Sequence, residues 1–174
     1  MKILIIGSSG AGKSTFSRQL SEIRGYPVLH LDKVWHKTDY SDEARDYLRL
    51  VQREFLAAHE NCIVDGNYSM TLDTRLAEAD LIVWMKIGRI AAIRRVLGRT
   101  LHHRLTGRNR SDMATNFKEK IDKEYWGFLK FIWNFPQKNE PRIQELINKF
   151  DKNDKLVYVR NRKDKEKVIQ LLKV

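Results

Sequence analysis

The sequence predicts an α/β fold: a five-stranded parallel sheet with helices on both faces. Three observations predict it. Short, wholly apolar runs recur along the chain, segments of helical period separate them, and the first run passes through a glycine-rich turn into a helix. Consecutive apolar residues without alternation mark strands buried on both faces, the condition of a parallel sheet.

Residues 2–6 (KILII) are the first strand, and a helix follows from Lys13 to about Ile23. Gly25-Tyr26-Pro27 breaks that helix, because proline and glycine cannot continue it, and Val28–Leu31 is a second strand ending at Asp32. Between residues 41 and 59 the apolar positions Ala44, Tyr47, Leu48, Val51, Phe55 and Ala58 recur at helical spacing. Ser41 is placed to cap that helix, and Asp42 and Glu43 suit its positive start. Cys62-Ile63-Val64 is a third strand ending at Asp65-Gly66, Leu81–Met85 a fourth and Leu156–Val159 a fifth. Helices lie between the last two strands, and another closes the chain after Lys163.

The 174 residues, 42% of them hydrophobic, fit one domain with a real core. No repeat, low-complexity tract or proline-rich linker indicates a second. A net charge of +11 implies polyanionic company: nucleotide phosphates, nucleic acid or an acidic membrane surface. The single cysteine, Cys62, excludes an intramolecular disulfide, and with no signal-like segment the expectation is a soluble protein of the cytoplasm. No run approaches the roughly 20 apolar residues of a membrane span.

Gly7-Ser8-Ser9-Gly10-Ala11-Gly12-Lys13-Ser14 has the spacing G-x-x-x-x-G-K-[ST] of the phosphate-binding loop, or P-loop. Glycines let the backbone curl so that N–H groups point inward at phosphate oxygens, and the following helix turns its positive end to the same anion. Mg·ATP is expected on residues 7–15, Thr15 included. Lys13 reaches the β- and γ-phosphates, and the Ser14 hydroxyl ligates Mg²⁺. A chance glycine-serine turn is the alternative, and the strand before and helix after argue against it. Asn148-Lys149-Phe150-Asp151 spells the guanine-reading N-K-x-D. Ile143, Leu146, Ile147 and Phe150 recur with helical spacing, however, so the motif lies at a helix end and carries no guanine specificity.

These segments together resemble the adenylate-kinase and shikimate-kinase group of P-loop proteins. Ile63-Val64-Asp65-Gly66-Asn67-Tyr68, Thr71-Leu72-Asp73-x-Arg75-Leu76 and Phe131-Ile132-Trp133-Asn134-Phe135 are further similar to the bacterial family called DNA topology modulation protein. The resemblance implies a three-layer P-loop NTPase fold with a basic helical lid, and a kinase whose acceptor it does not define. The D-G-F-P-R run of adenylate kinases is only half present, as Asp65-Gly66-Asn67-Tyr68, which weakens the case for a nucleoside monophosphate acceptor.

Two acids sit at expected strand ends. Asp65 is placed to organise Mg²⁺, with a turn-capping aspartate as the alternative. Asp32 lies where the resembled shikimate- and gluconate-type kinases carry an acid that meets the substrate hydroxyl, to accept its proton or orient it. His36 is a weaker candidate. Residues 89–110 hold seven arginines, Arg89, Arg94, Arg95, Arg99, Arg104, Arg108 and Arg110, and no acid. Gly98, Gly107 and the polar 109–112 suggest a helix leading into a flap, about 98–116. Arg104 and Arg108 are its candidate catalytic residues and Arg110 a nucleotide contact, since guanidinium groups can neutralise a transferring phosphoryl group. A solvated basic face or a nucleic-acid patch is the competing account.

The aromatic stripe Tyr125, Trp126, Phe128, Leu129, Ile132, Trp133 and Phe135 reads as core, with base stacking as the alternative. Cys62 reads as an inert core thiol, and Arg160-Asn161-Arg162 as a strand-end loop that in related kinases contacts adenine. The reading is a single-domain P-loop kinase that transfers the ATP γ-phosphoryl group to an unidentified small-molecule or nucleotide acceptor. Its rival is an ATP-binding, DNA-associated regulator gripping DNA with residues 86–130, where twelve Lys and Arg face four Asp and Glu. No helix-turn-helix or zinc finger supports that rival. A hydrolase is a third option, and no water-positioning residue marks it.

Overall fold

A computed structural model describes residues 1–106 and 123–172. The chain runs β1 (Lys2–Gly7), α1 (Lys13–Arg24), β2 (Val28–His30), α2 (Leu31–Trp35), α3 (Asp42–Ala58), β3 (Cys62–Asp65), α4 (Leu72–Leu76) and β4 (Leu81–Met85). It continues through α5 (Arg89–Thr106), α6 (Lys123–Lys138), α7 (Glu140–Lys149), β5 (Leu156–Val159) and α8 (Arg162–Leu171). The five strands form one all-parallel sheet in the order β2-β3-β1-β4-β5. The strands after β1 go first to one side of it and then to the other. The crossover therefore opens at β1, where ligands of such sheets bind.

The period of two along β1 divides the core into two layers. Leu4 and Ile6 face Leu48, Leu56, Leu72, Leu76, Ile143 and Ile147 of α3, α4 and α7. Ile3 and Ile5 face Phe16 and Leu20 of α1 and Val168 of α8. All four β1 side chains are fully buried, so the strand has no polar side to offer until it ends. The Ser41 hydroxyl accepts from the Ala44 N–H at 3.1 Å and caps α3 as expected. The N-K-x-D segment lies at the carboxyl end of α7, with Asp151 in the left-handed region just beyond. Cys62 is buried, and burial pushes its thiol pKa up.

Two expectations need correction. The second strand stops at His30, so Asp32 lies in the first turn of α2 and not at the strand end. The α6 stripe is core on one side only. Tyr125, Leu129, Ile132 and Phe135 are buried, but Trp126 and Trp133 are 65% and 46% exposed. α5 is continuous through Gly98, the expected start of the flap, to Thr106, and the rest of the flap, with Arg108 and Arg110, lies outside the described residues. No helix among the described residues is long and apolar enough to cross a membrane.

Arg75 is fully buried, which is uncommon for a guanidinium without a carboxylate against it. It donates to Gln52 Oε1 at 2.7 Å, to the Thr71 carbonyl at 3.2 Å and to the Gly66 carbonyl at 3.1 Å. Burial outweighs the pull of Asp73 and pushes its pKa down to about 9. Nearer solvent, Arg49 joins α3 to α4 through both oxygens of Asp73, at 2.8 and 2.9 Å. Arg75→Met should cost about 3 kcal/mol, because it strands two or more buried acceptors in a nearly isosteric core. Asp73→Asn, at a half-exposed pair, should cost less than about 1 kcal/mol. Urea unfolding of both variants checks this, and equal losses would refute the ranking.

Candidate active site

The P-loop forms because three glycines take backbone angles that other residues resist. Gly7, Gly10 and Gly12 have φ of 138°, 80° and 88°. At Gly7 a Cβ would run into the Met85 carbonyl of β4, and at Gly10 it would lie 2.8 Å from the Ala92 carbonyl of α5. The Gly12 position is open. A turn from Ala11 N–H to the Ser8 carbonyl, 3.2 Å, closes the loop, and the first α1 bond runs from Phe16 N–H to the Gly12 carbonyl, 3.1 Å. Lys13, Ser14 and Thr15 thus precede the first intrahelical donor, leaving their N–H groups for an anion. Lys13 Nζ donates across the loop to the Ser8 carbonyl at 3.1 Å.

Asp65 ends β3 beside this loop, in register with Ile5 of β1 and His30 of β2. It is 4% exposed. Its Oδ2 lies 2.8 Å from His30 Nδ1, and its Oδ1 is buried without a hydrogen-bond partner among the described residues. A buried carboxylate oxygen is costly to leave bare, so Oδ1 is a natural place for a cation or its water. No three His, Cys, Asp or Glu side chains converge on a metal position among the described residues. That donor set suits Mg²⁺, which takes one or two protein oxygens and fills its shell with phosphates and water. Ser14 and Asp65 are the residues that fit it.

Asp32 Oδ1 accepts from the Tyr68 hydroxyl at 2.8 Å. Burial, and then the neighbouring Asp32 carboxylate, push the Tyr68 pKa far up, so the phenol remains a donor at any physiological pH. Trp35 packs on Tyr68 and Tyr40, with ring centroids 5.7 and 5.6 Å apart, walling this side of the site. His36 is tied to the Tyr40 hydroxyl at 3.1 Å.

Gly66, φ 145°, follows Asp65, and a Cβ there would lie 2.8 Å from the Leu31 Cβ. Only glycine lets the ends of β2 and β3 approach this closely. The next residue, Asn67, accepts from the Gly7 N–H at 3.4 Å, a long bond that ties this turn to the P-loop.

Of the arginines, Arg95 donates to the Gly10 carbonyl at 3.3 Å and so stands against the loop. Lys165 of α8 stands on the same side, 4.0 Å from where a Gly12 Cβ would be. Burial, then Arg95, push the Lys165 pKa down. Arg89 and Arg94 line a different feature, a surface cavity of about 510 Å³ shared with Ile90 and Trp133 and touching no loop residue. Arg104 belongs to α5, and its side chain, like Arg108 and Arg110, lies outside the described residues. Asn161 caps α8 by accepting from the Asp164 N–H at 3.0 Å, and Arg162 pairs with Glu166.

A sequence model described as an AAA domain matches residues 3–124, the segment that carries the P-loop, both acids and α5. The chain belongs to the AAA domain family. Two curated relatives are kinases. The cytidylate kinase of Thermoplasma acidophilum is 36% identical over 81 residues, 38% of this chain and 43% of that protein. The shikimate kinase of Mycobacterium leprae is 27% identical over 124 residues, 64% and 62% respectively. The chain therefore spans less than two thirds of either relative.

Among solved structures, a deoxyadenosine kinase from M. mycoides, holding the products dCMP and a flexible dCDP, superposes with a TM-score of 0.56 at 18% identity. That superposition covers 99% of this chain and 98% of the other and shows a shared fold. The AAA domain seen here thus has the kinase-like P-loop architecture, and these relatives carry the kinase part of the resemblance rather than its DNA-topology part.

His30, Tyr68, Asn67 and Lys165 escaped sequence reasoning. His30 had a visible signal, since it ends an apolar strand two residues before Asp32. Lys165 had none, being one of many cations in a basic helix.

The loop geometry ranks its glycines. Gly12→Ala should cost about 1 kcal/mol of backbone strain, while Gly7→Ala must also move the Met85 carbonyl and should cost roughly 3 kcal/mol. Denaturant midpoints of the two variants test the ranking, which a smaller loss at Gly7 would reverse.

Proposed function

We propose that this AAA domain protein is a kinase that transfers the γ-phosphoryl group of Mg·ATP to an acceptor hydroxyl, in a small molecule or a nucleotide. The observation that carries the reading is the convergence of P-loop, Asp65 and the Asp32–Tyr68 pair at one edge of the sheet. The kinase relatives support it.

In this mechanism residues 7–15 cradle the phosphates with backbone N–H groups. Lys13 exchanges the Ser8 carbonyl for β- and γ-phosphate oxygens. Ser14 and Asp65 would hold Mg²⁺, which would supply charge neutralisation at the phosphates. The acceptor oxygen forms its bond to the γ-phosphorus as the bond to the β–γ bridging oxygen breaks, and ADP leaves. The acceptor proton goes to Asp32. Tyr68 holds Oδ1, so Oδ2 is the oxygen that receives it. Arg104, Arg108 and Arg110 are proposed to close over the phosphates and meet charge developing in the transition state. The exposed Trp133, with Arg89 over its ring and Arg94 lining the same cavity, gives the DNA-binding rival a structural foothold.

Lys13→Ala should weaken ATP binding by roughly 1.5–3 kcal/mol, the worth of a charge-assisted hydrogen bond. Asp65→Asn should raise the Mg²⁺ requirement, whereas Asp32→Asn should suppress transfer with nucleotide affinity nearly intact. Calorimetry, together with ADP production screened against nucleosides, nucleotides and hydroxylated metabolites, measures all three. Unchanged ATP affinity in Lys13→Ala, or identical metal defects in both acid variants, would sink the assignment.

The arginines separate kinase from DNA regulator. Arg108→Ala should depress kcat more than ATP affinity, and DNA binding near physiological salt should be weak and indifferent to ATP. Tight, ATP-responsive DNA binding with normal turnover in that variant would favour the rival.

A further inference from the structure

Every carboxylate in a metal shell must be held so that one oxygen faces the ion, and a buried carboxylate has few neighbours to hold it. Asp65 has one. His30 and Asp65 are direct partners across the β2–β3 ladder, and their side chains leave the sheet edge together at 2.8 Å. Both are shielded, with side chains 10% and 4% exposed. An ionised carboxylate only accepts, so the proton of this bond lies on His30 Nδ1, which fixes the imidazole tautomer. The bond occupies Oδ2 alone, and Oδ1 is left buried and bare among the described residues. The asymmetry separates two tasks on one side chain: Oδ2 is an anchor and Oδ1 a ligand.

We propose that His30 is a positioning residue for the metal of the nucleotide complex, holding Asp65 through Nδ1–H···Oδ2 so that Oδ1 faces Mg²⁺ or one of its waters. This rests on the kinase reading only as far as Mg²⁺–nucleotide binding, and requires no transfer. Three features of the fold keep the pair in place. The parallel register sets the two residues side by side. Gly66 lets Leu31 close against the turn, since a Cβ there would lie 2.8 Å from the Leu31 Cβ. The buried Arg75 grips the Gly66 carbonyl at 3.1 Å, fixing the backbone just after Asp65. Partners that orient metal-binding side chains are typically worth 10–100-fold in metal affinity.

The donor, not the imidazole as such, is what the proposal requires. Asparagine carries an amide nitrogen close to where Nδ1 lies, so His30→Asn retains a donor, while His30→Leu and His30→Phe remove it. The experiment titrates Mn²⁺, followed by electron paramagnetic resonance, into full-length protein saturated with a non-hydrolysable ATP analogue. Nucleotide affinity in EDTA is measured alongside, and thermal unfolding confirms that each variant is folded. His30→Leu and His30→Phe should weaken Mn²⁺ binding about tenfold or more. His30→Asn should stay within about threefold of wild type, and metal-free nucleotide affinity should not move. Wild-type Mn²⁺ affinity in the two donor-less variants would overturn the proposal, as would an Asn variant as impaired as the Leu variant. Both readouts are binding measurements. A protein that transfers phosphate to no acceptor therefore fails the kinase reading, while the metal affinities still decide this one.

Discussion

Everything in this chain follows from a parallel sheet buried on both faces. Ile3, Leu4, Ile5 and Ile6 have no solvent side, so β1 can carry no polar group along its length. Chemistry is pushed to the strand ends. The crossover order β2-β3-β1-β4-β5 puts the ends of β1 and β3 side by side, where the P-loop and Asp65 lie. Gly7 is the hinge of the arrangement, since any side chain at that position would collide with the backbone of β4. The site is thus a consequence of packing, and its position is as rigid as the core.

The polar half of the site is held by a second constraint, the turn after β3. Gly66 allows β2 and β3 to converge, and Arg75 ties its carbonyl into the core together with Gln52 and Thr71. A buried guanidinium with neutral partners is an expensive anchor. It is tolerated because the acceptors it satisfies would otherwise be stranded inside the protein. The cost buys a fixed backbone next to Asp65, and a catalytic shell held to fractions of an ångström needs that kind of support.

Much of the fold was legible because its signals are local. Apolar runs gave all five strands to within a residue, and the Ser41 cap, the P-loop and the helix-end position of Asn148–Asp151 follow from short-range chemistry. Asp65 was legible for the same reason. The end of the second strand is instructive. Val28–Leu31 reads as one run, but its last residue turns into α2, because Leu31 must pack on Gly66 and in the core. That contact is long-range and leaves no local mark. The roles of His30, Tyr68 and Lys165 were hidden likewise: each partner lies on another element, and a period or a spacing records only neighbours along the chain. The α6 stripe failed differently. Eight apolar residues in eleven, Phe131 included, cover more than half of the helix circumference, so burial of one face exposes Trp126 and Trp133.

The charge of +11 divides by location rather than by amount. Of the many cations, Lys13, Arg95 and Lys165 stand against the P-loop. Burial first, and then repulsion from the Arg95 guanidinium, hold the Lys165 pKa below the usual lysine range. Lys165 is half-buried, so solvent relieves only part of that repulsion. A group whose folded pKa is depressed below its unfolded value, as here, disfavours the folded state while it stays protonated, which for lysine means at neutral pH. A polyphosphate on the loop would offset this repulsion, since it places negative charge beside both cations. The loop thus gathers like charges that an anion would offset, while its glycines take their backbone angles without steric cost. An anion that binds this edge only in the folded chain would stabilise it by mass action.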